Sequence, residues 1–129
     1  MVEESIYQRV LLAEDDPTSR EAVRILLERE GLDVAVAGNG EEALRFLREN
    51  GPPHLVLLDL SMPGTDGWGF MDALTRHPTW LGVPVVVLTG AAGVTAEDVR
   101  ALGADDLLRK PVDPDELIST VSRYAWAGC

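Results

Sequence analysis

Short apolar runs alternate with longer segments of helical period along the whole chain. Several of these runs consist almost entirely of valine and leucine, as in VLLA, LVLLD and VVVL. Unbroken apolar runs of this length are typical of strands that are buried on both faces of a parallel sheet. The predicted strands are Arg9–Ala13, Asp33–Ala37, His54–Asp59, Pro84–Thr89 and Asp105–Arg109.

Helix-start and helix-end signals separate these runs. Asp16-Pro17 and Asp113-Pro114 each place an N-cap residue before proline at the first helical position, and Thr95 with Asp98 resembles a capping box. Glycines follow three of the candidate helix ends, where a left-handed backbone is common. The predicted helices are about Pro17 to Glu30, Glu41 to Asn50, Trp68 to His77, a short fourth helix ending near Leu102, and Pro114 to Ala125.

The alternation of strands and helices predicts an α/β fold. We expect a doubly wound, five-stranded parallel sheet with right-handed crossovers and helices on both faces, in the flavodoxin-like order 2-1-3-4-5. No linker, repeat or low-complexity segment interrupts the pattern. The sequence therefore predicts a single domain over residues 1–129, with a core at about residues 8–126.

Charge and cysteine content narrow the expected partners and location. Acidic residues number 22 against 11 basic ones, and the net charge of -11 would repel a phosphate backbone. We therefore expect no direct nucleic-acid partner. The one cysteine, Cys129, cannot form an internal disulfide, and the apolar runs are too short to span a bilayer. These features predict a cytoplasmic protein without membrane contact.

Reactive side chains gather where the predicted strands end. In parallel sheets the carboxyl ends of the strands share one edge, and ligands bind beyond that edge. We expect the polar groups there to form one pocket. They are Glu14, Asp15 and Asp16 after the first strand, Asp59 at the end of the third, Thr89 at the end of the fourth, and Lys110 after the fifth.

This set of groups favours phosphoryl transfer. Crowded carboxylates repel one another unless a cation lies between them, and magnesium prefers such hard oxygen ligands. A carboxylate can also attack phosphorus to give an acyl phosphate, and Asp59 is the best candidate because it ends the most apolar strand. Lys110 and Thr89 would then compensate the charge of the phosphoryl group. Asp16 is expected to be a helix cap rather than a ligand.

Four segments carry a family resemblance. LLAEDDP, LVLLDLSMPGTDG, VVVLTG and GADDLLRKP resemble, in order and spacing, the signature segments of CheY-like receiver domains of two-component response regulators. The resemblance covers about Arg9 to Tyr124. It implies a phosphoacceptor domain that assists its own phosphorylation and dephosphorylation and is not otherwise an enzyme. It also implies a histidine kinase or histidine phosphotransfer protein as donor, and a downstream protein whose identity is unknown.

The resemblance also implies a role for each residue of the pocket. Asp59 would be the phosphoacceptor, and Thr89 and Lys110 would contact the phosphoryl group. The implied Mg²⁺ ligands are Asp15 and Asp59 directly, Glu14 through water, and the backbone carbonyl of Ser61. The Lys110-Pro111 bond stands where the family has a cis peptide bond.

Two departures from the family pattern leave alternatives open. Leu107 stands where the family usually has an aromatic residue, and the fourth helix is about a turn shorter than usual. These features leave open an alternative function, in which the chain is a scaffold that binds its partners without phosphorylation. A small phosphatase with an aspartyl-phosphate intermediate is the other alternative. Such enzymes commonly have a second acid two residues after the nucleophile, where this chain has Ser61.

Overall fold

The computed structural model describes residues 8–60 and 67–125. In this part of the chain, each predicted element is present, and each predicted boundary lies within one residue of the observed one. The strands are β1 (Arg9–Ala13), β2 (Asp33–Ala37), β3 (Leu55–Asp59), β4 (Val85–Thr89) and β5 (Asp106–Arg109). The helices are α1 (Pro17–Arg29), α2 (Gly40–Asn50), α3 (Gly67–Arg76), α4 (Ala96–Ala101) and α5 (Pro114–Ala125).

All neighbouring strands pair in parallel, in the order β2-β1-β3-β4-β5. The predicted sheet is therefore confirmed. Asp59 lies opposite Leu88 on β4, and Thr89 lies opposite Arg109 on β5. Because the strands run in the same direction, their carboxyl ends, and the residues that follow them, lie at one edge.

Side chains alternate between the two faces of the sheet and form two apolar cores. Leu58 and Val87 belong to the core that includes Phe70 and Met71 of α3. Leu57 and Leu88 belong to the opposite core, with residues of α1 and α5 such as Leu27 and Leu117. Helices thus cover both faces, as predicted for a doubly wound sheet. No helix in the described residues is long and apolar enough to cross a bilayer.

The helix ends follow the predicted signals. Asp16 caps α1 by accepting a hydrogen bond from the Ser19 amide at 2.8 Å, and this bond lowers the pKa of Asp16. Thr95 and Asp98 form the predicted capping box, each side chain accepting from the other residue's backbone amide. The glycines after three helix ends, Gly31, Gly51 and Gly103, have φ angles of 86°, 79° and 101°.

Gly67 allows α3 to begin against the backbone that follows β3. A Cβ atom at this position would lie 2.6 Å from the Leu60 Cα and 2.9 Å from the Asp59 carbonyl oxygen. No side chain fits at these distances. The start of α3 is therefore held close to the end of β3, where Asp59 lies.

Candidate functional site

Three carboxylates converge at the carboxyl edge of the sheet. Glu14 follows β1 and Asp59 ends β3, and both are buried, whereas Asp15 is exposed. One carboxylate oxygen from each of the three lies within 4.8 Å of the other two. The alternation of side chains explains this geometry in part. Glu14 continues the series of Val10 and Leu12, so it points toward the side of the sheet that α1 and α5 cover.

Lys110 joins this cluster from β5. Its Nζ atom lies 2.6 Å from Glu14 Oε1 and 3.3 Å from Asp59 Oδ2. Lys110 is the only lysine in the sequence. The Lys110-Pro111 peptide bond is cis, as the family resemblance implied.

Burial and charge act against each other on this ion pair. Burial raises the pKa of Glu14, which outweighs the opposing effect of the Lys110 ammonium, and the Asp59 carboxylate raises it further. Burial disfavours the charged form of Lys110, but Glu14 and Asp59 together outweigh it, so the pKa of Lys110 is raised. A second positive charge near the carboxylates would therefore be favourable.

Backbone and side-chain hydrogen bonds hold Glu14 in place. The Asp16 amide donates to Glu14 Oε2 at 3.2 Å, and the Glu14 amide donates to the Ala37 carbonyl at 2.9 Å. Arg20 of α1 donates from Nη1 to the Glu14 carbonyl at 3.0 Å. The role of Arg20 was not predicted from the sequence, because its spacing from Glu14 is that of any exposed helical residue near a strand end.

Thr89 lies at the same edge and is buried, with 1% of its surface exposed. Its Oγ1 atom accepts a hydrogen bond from the Ala91 amide at 3.0 Å. Thr89 continues the series of Val85 and Val87, which face the side of the sheet opposite to Asp59. The structure thus brings the three carboxylates and the ammonium together, and it places the Thr89 hydroxyl next to its own loop.

The donor set suits a hard divalent cation. Magnesium binds carboxylate oxygens and commonly uses one or two protein carboxylates with water and phosphate oxygens. Within the described residues, Glu14, Asp15 and Asp59 supply three carboxylates, and Lys110 is the one ammonium that contacts two of them. Negative charge is therefore in excess, as a magnesium site requires. Ser61 lies outside the described residues, so its carbonyl ligand stays a prediction.

The two histidines lie away from this cluster. His54 Nδ1 accepts from the Arg9 amide at 2.8 Å, at the opposite edge of the sheet. His77 stacks on Trp80 after α3, with ring centroids 3.9 Å apart. Neither histidine is placed to bind a metal with the three carboxylates.

Known proteins resemble this chain over most of its length. The DNA-binding response regulator MtrA of Mycolicibacterium smegmatis is 42% identical over 120 residues, which are 92% of this chain and 50% of that protein. The receiver domain of sensor histidine kinase PA1611 from Pseudomonas aeruginosa, solved with a magnesium ion in its active-site cleft, has a TM-score of 0.84. It is 26% identical, covering 93% of this chain and 98% of that one.

A chemotaxis protein gives a similar match. Vibrio cholerae CheY4 has a TM-score of 0.83 at 27% identity, over 92% of this chain and 98% of that chain. Its likeness supports the five-stranded, doubly wound architecture described above.

The relatives correct one prediction about partners. We expected no direct nucleic-acid partner because the net charge is -11. That expectation is wrong, because curated relatives are named DNA-binding response regulators. The chain spans about half the length of these relatives, and their name describes the whole protein. The charge of one domain therefore does not decide the partners of a whole protein.

A family model also matches this chain. The model of the response regulator receiver domain matches residues 10–122, and this range includes Glu14, Asp59, Thr89 and Lys110. The match spans β1 from Val10 onward, the other four strands and most of α5. The chain therefore belongs to the receiver domain family of the response regulators of two-component signalling.

Proposed function

We propose that this chain is a phosphoacceptor that receives a phosphoryl group on Asp59 in a magnesium-dependent reaction. The observation that carries the proposal is the position of the Asp59 carboxylate. It is buried at the end of β3, within 4.8 Å of Glu14 and Asp15 oxygens and 3.3 Å from the Lys110 ammonium. A buried carboxylate with these neighbours is suited to attack on phosphorus rather than to a purely structural role.

The chemistry is an in-line transfer. An Asp59 oxygen forms a bond to phosphorus while the bond between phosphorus and the donor breaks, and the donor's leaving group takes the electron pair. Lys110 would hold a phosphoryl oxygen after exchanging its contact with Glu14 for one with the new anion. The Thr89 hydroxyl would donate to another phosphoryl oxygen. Alignment and charge compensation supply most of the rate acceleration in such transfers.

Magnesium would be held by Asp15 and Asp59, with Glu14 acting through water and the Ser61 carbonyl completing the protein ligands. When bound, it supplies positive charge that offsets the carboxylates and the incoming phosphoryl oxygens. The magnesium ion in the cleft of the PA1611 receiver domain supports this assignment. The excess of carboxylates over ammonium at this edge supports it independently.

The product would act through its contacts with other proteins. The new phosphoryl group adds charge at a pocket bordered by loops, so it would shift the population of loop conformations. Residues 1–129 would act as a single receiver domain. The domain would assist its own phosphorylation and dephosphorylation without turning over a metabolite. The scaffold and phosphatase alternatives lack a comparable supporting observation.

Intact-mass spectrometry with acetyl phosphate tests the proposal. The native protein should gain one phosphoryl group with magnesium and none after chelation. Asp59→Asn should gain none under either condition. Asp72→Asn is a matched control because it neutralises an exposed carboxylate on α3 and leaves the pocket intact. Equal phosphorylation of the native protein and Asp59→Asn would contradict the proposal.

A further inference from the structure

A tight turn connects β4 to the segment before α4. The Val94 amide donates to the Ala91 carbonyl at 3.3 Å, which closes the turn Ala91–Val94. The Ala91 amide donates to Thr89 Oγ1 at 3.0 Å. The hydroxyl that is proposed to contact the phosphoryl group is therefore tied to the first residue of this turn.

Arg109 at the end of β5 donates two hydrogen bonds to the same turn. Its Nη1 atom donates to the Ala91 carbonyl at 3.1 Å, and its Nη2 atom donates to the Val94 carbonyl. Arg109 is also the register partner of Thr89 in the β4–β5 pair. Ala91 is thus held through both of its backbone groups, the amide by Thr89 and the carbonyl by Arg109.

In the observed arrangement the Thr89 hydroxyl is bonded to its own loop. Asp59 continues the series of Leu55 and Leu57, which face the α1 and α5 side, whereas Thr89 continues the series that faces the other side. To reach a phosphoryl group on Asp59, the hydroxyl must turn away from Ala91. Contacts that stabilise the observed arrangement oppose this movement.

We propose that Arg109 is a positioning residue that keeps the Thr89 hydroxyl at its own loop by holding the Ala91–Val94 turn. The inference rests on the proposed phosphorylation of Asp59. Leu107 of β5 packs against the apolar core. In this chain a polar side chain two residues later links β5 to the turn.

The first test uses the protein without any phosphoryl group. Arg109→Ala should speed hydrogen exchange of the Ala91 amide by about fivefold, measured by NMR, because two bonds to an exposed guanidinium are lost. Arg76→Ala is the control, since it removes the same charge from the end of α3 and should leave this amide unchanged. Unchanged exchange in Arg109→Ala would overturn the inference, whatever the outcome of phosphorylation.

The second test is a double-mutant cycle with beryllofluoride, a phosphoryl mimic, and magnesium. Arg109→Ala should bind beryllofluoride about fivefold more tightly than the native protein, at the low end of typical coupling between sites. Arg109→Lys should behave like Arg109→Ala, because an ammonium cannot bridge two carbonyls as a planar guanidinium does. In a Thr89→Val background, the effect of Arg109→Ala should disappear.

The outcomes distinguish a failure of the inference about Arg109 from a failure of the proposed phosphorylation of Asp59. An equal gain with and without the Thr89 hydroxyl would show that Arg109 does not act through Thr89, and it would overturn the inference alone. The same holds if native protein and Arg109→Ala bind beryllofluoride equally. If the native protein binds none, the proposed function fails, and the inference fails with it.

Discussion

Lys110 Nζ lies 2.6 Å from Glu14 Oε1, so one ion pair connects the end of β5 with the end of β1. Strands β3 and β4 lie between them in the sheet. The lysine side chain therefore crosses above Asp59, which it contacts at 3.3 Å. In this arrangement the ammonium offsets part of the negative charge of the carboxylates that would hold a metal ion.

A first prediction concerns which acid binds magnesium. Magnesium should raise the melting temperature of the native protein, because a ligand that binds only the folded state stabilises it. Asp15→Asn should lose this response. Asp16→Asn should retain it, because asparagine caps a helix as well as aspartate and Asp16 is not a ligand. A thermal shift titration with magnesium measures the response of the native protein and both variants. If only Asp16→Asn lost the response, Asp16 rather than Asp15 would be the magnesium ligand.

A second prediction follows from the competition between Lys110 and the metal. Lys110→Gln should bind magnesium on the order of tenfold more tightly, because a positive charge beside the binding carboxylates is removed. It should nevertheless accept the phosphoryl group from acetyl phosphate more slowly. Arg24→Gln, which removes a partly exposed charge on α1, is the control for net charge. Weaker magnesium binding by Lys110→Gln in calorimetry would argue against the competition.

A third prediction concerns pH. Burial raises the pKa of Glu14 above its ordinary value of 4.5. The folded state therefore binds this proton more tightly than the unfolded state. The resulting stability is fully present below pH 4.5 and is lost as the pH rises through the raised pKa. Glu14→Gln removes this titration, so without magnesium it should melt a few degrees above the native protein at neutral pH.

Melting curves across the acidic range test this predicted pH dependence of stability. The advantage of Glu14→Gln should disappear below about pH 4, where the native carboxyl is protonated in both states. A native protein that melts higher than Glu14→Gln at neutral pH would mean that the ion pair with Lys110 outweighs the cost of burying the carboxylate.

A fourth prediction concerns the contact between α3 and the end of β3. Gly67→Ala should lower the free energy of unfolding by about 1–3 kcal/mol, since its methyl group would collide with the Leu60 backbone. Gly82→Ala is the matched control, because a Cβ atom there meets no other atom within 4 Å. Urea denaturation measures both. Equal stability of the two variants would show that the backbone at Leu60 can move aside.

Local signals in the sequence were sufficient to predict the fold. Caps, glycines and apolar runs act over a few residues, so the predicted bounds are within one residue of the observed ones. The strand ends also indicated Glu14, Asp59 and Lys110 as neighbours. The close contact of Lys110 with Glu14 was not predictable, because the choice between two carboxylates depends on side-chain conformation.

Contacts between distant residues, and the partners of longer relatives, could not be predicted from the sequence pattern. Arg109 contacts residues 15 and 18 positions away, and an exposed arginine after a strand gives no signal of such a contact. The bond between Thr89 and Ala91 is local, but it depends on how the loop turns. The net charge did not predict the DNA binding for which the relatives are named, because it describes only a domain that corresponds to half of their length.

Chemical identification of the phosphorylated residue distinguishes Asp59 from the other acidic residues of the chain. An acyl phosphate on aspartate is reduced by borohydride to homoserine, and peptide mass spectrometry then locates that homoserine. After treatment with acetyl phosphate and magnesium, we expect homoserine at position 59 and none in the sample without magnesium. Homoserine at another acidic position, or a phosphoryl group that resists borohydride, would contradict phosphorylation of Asp59.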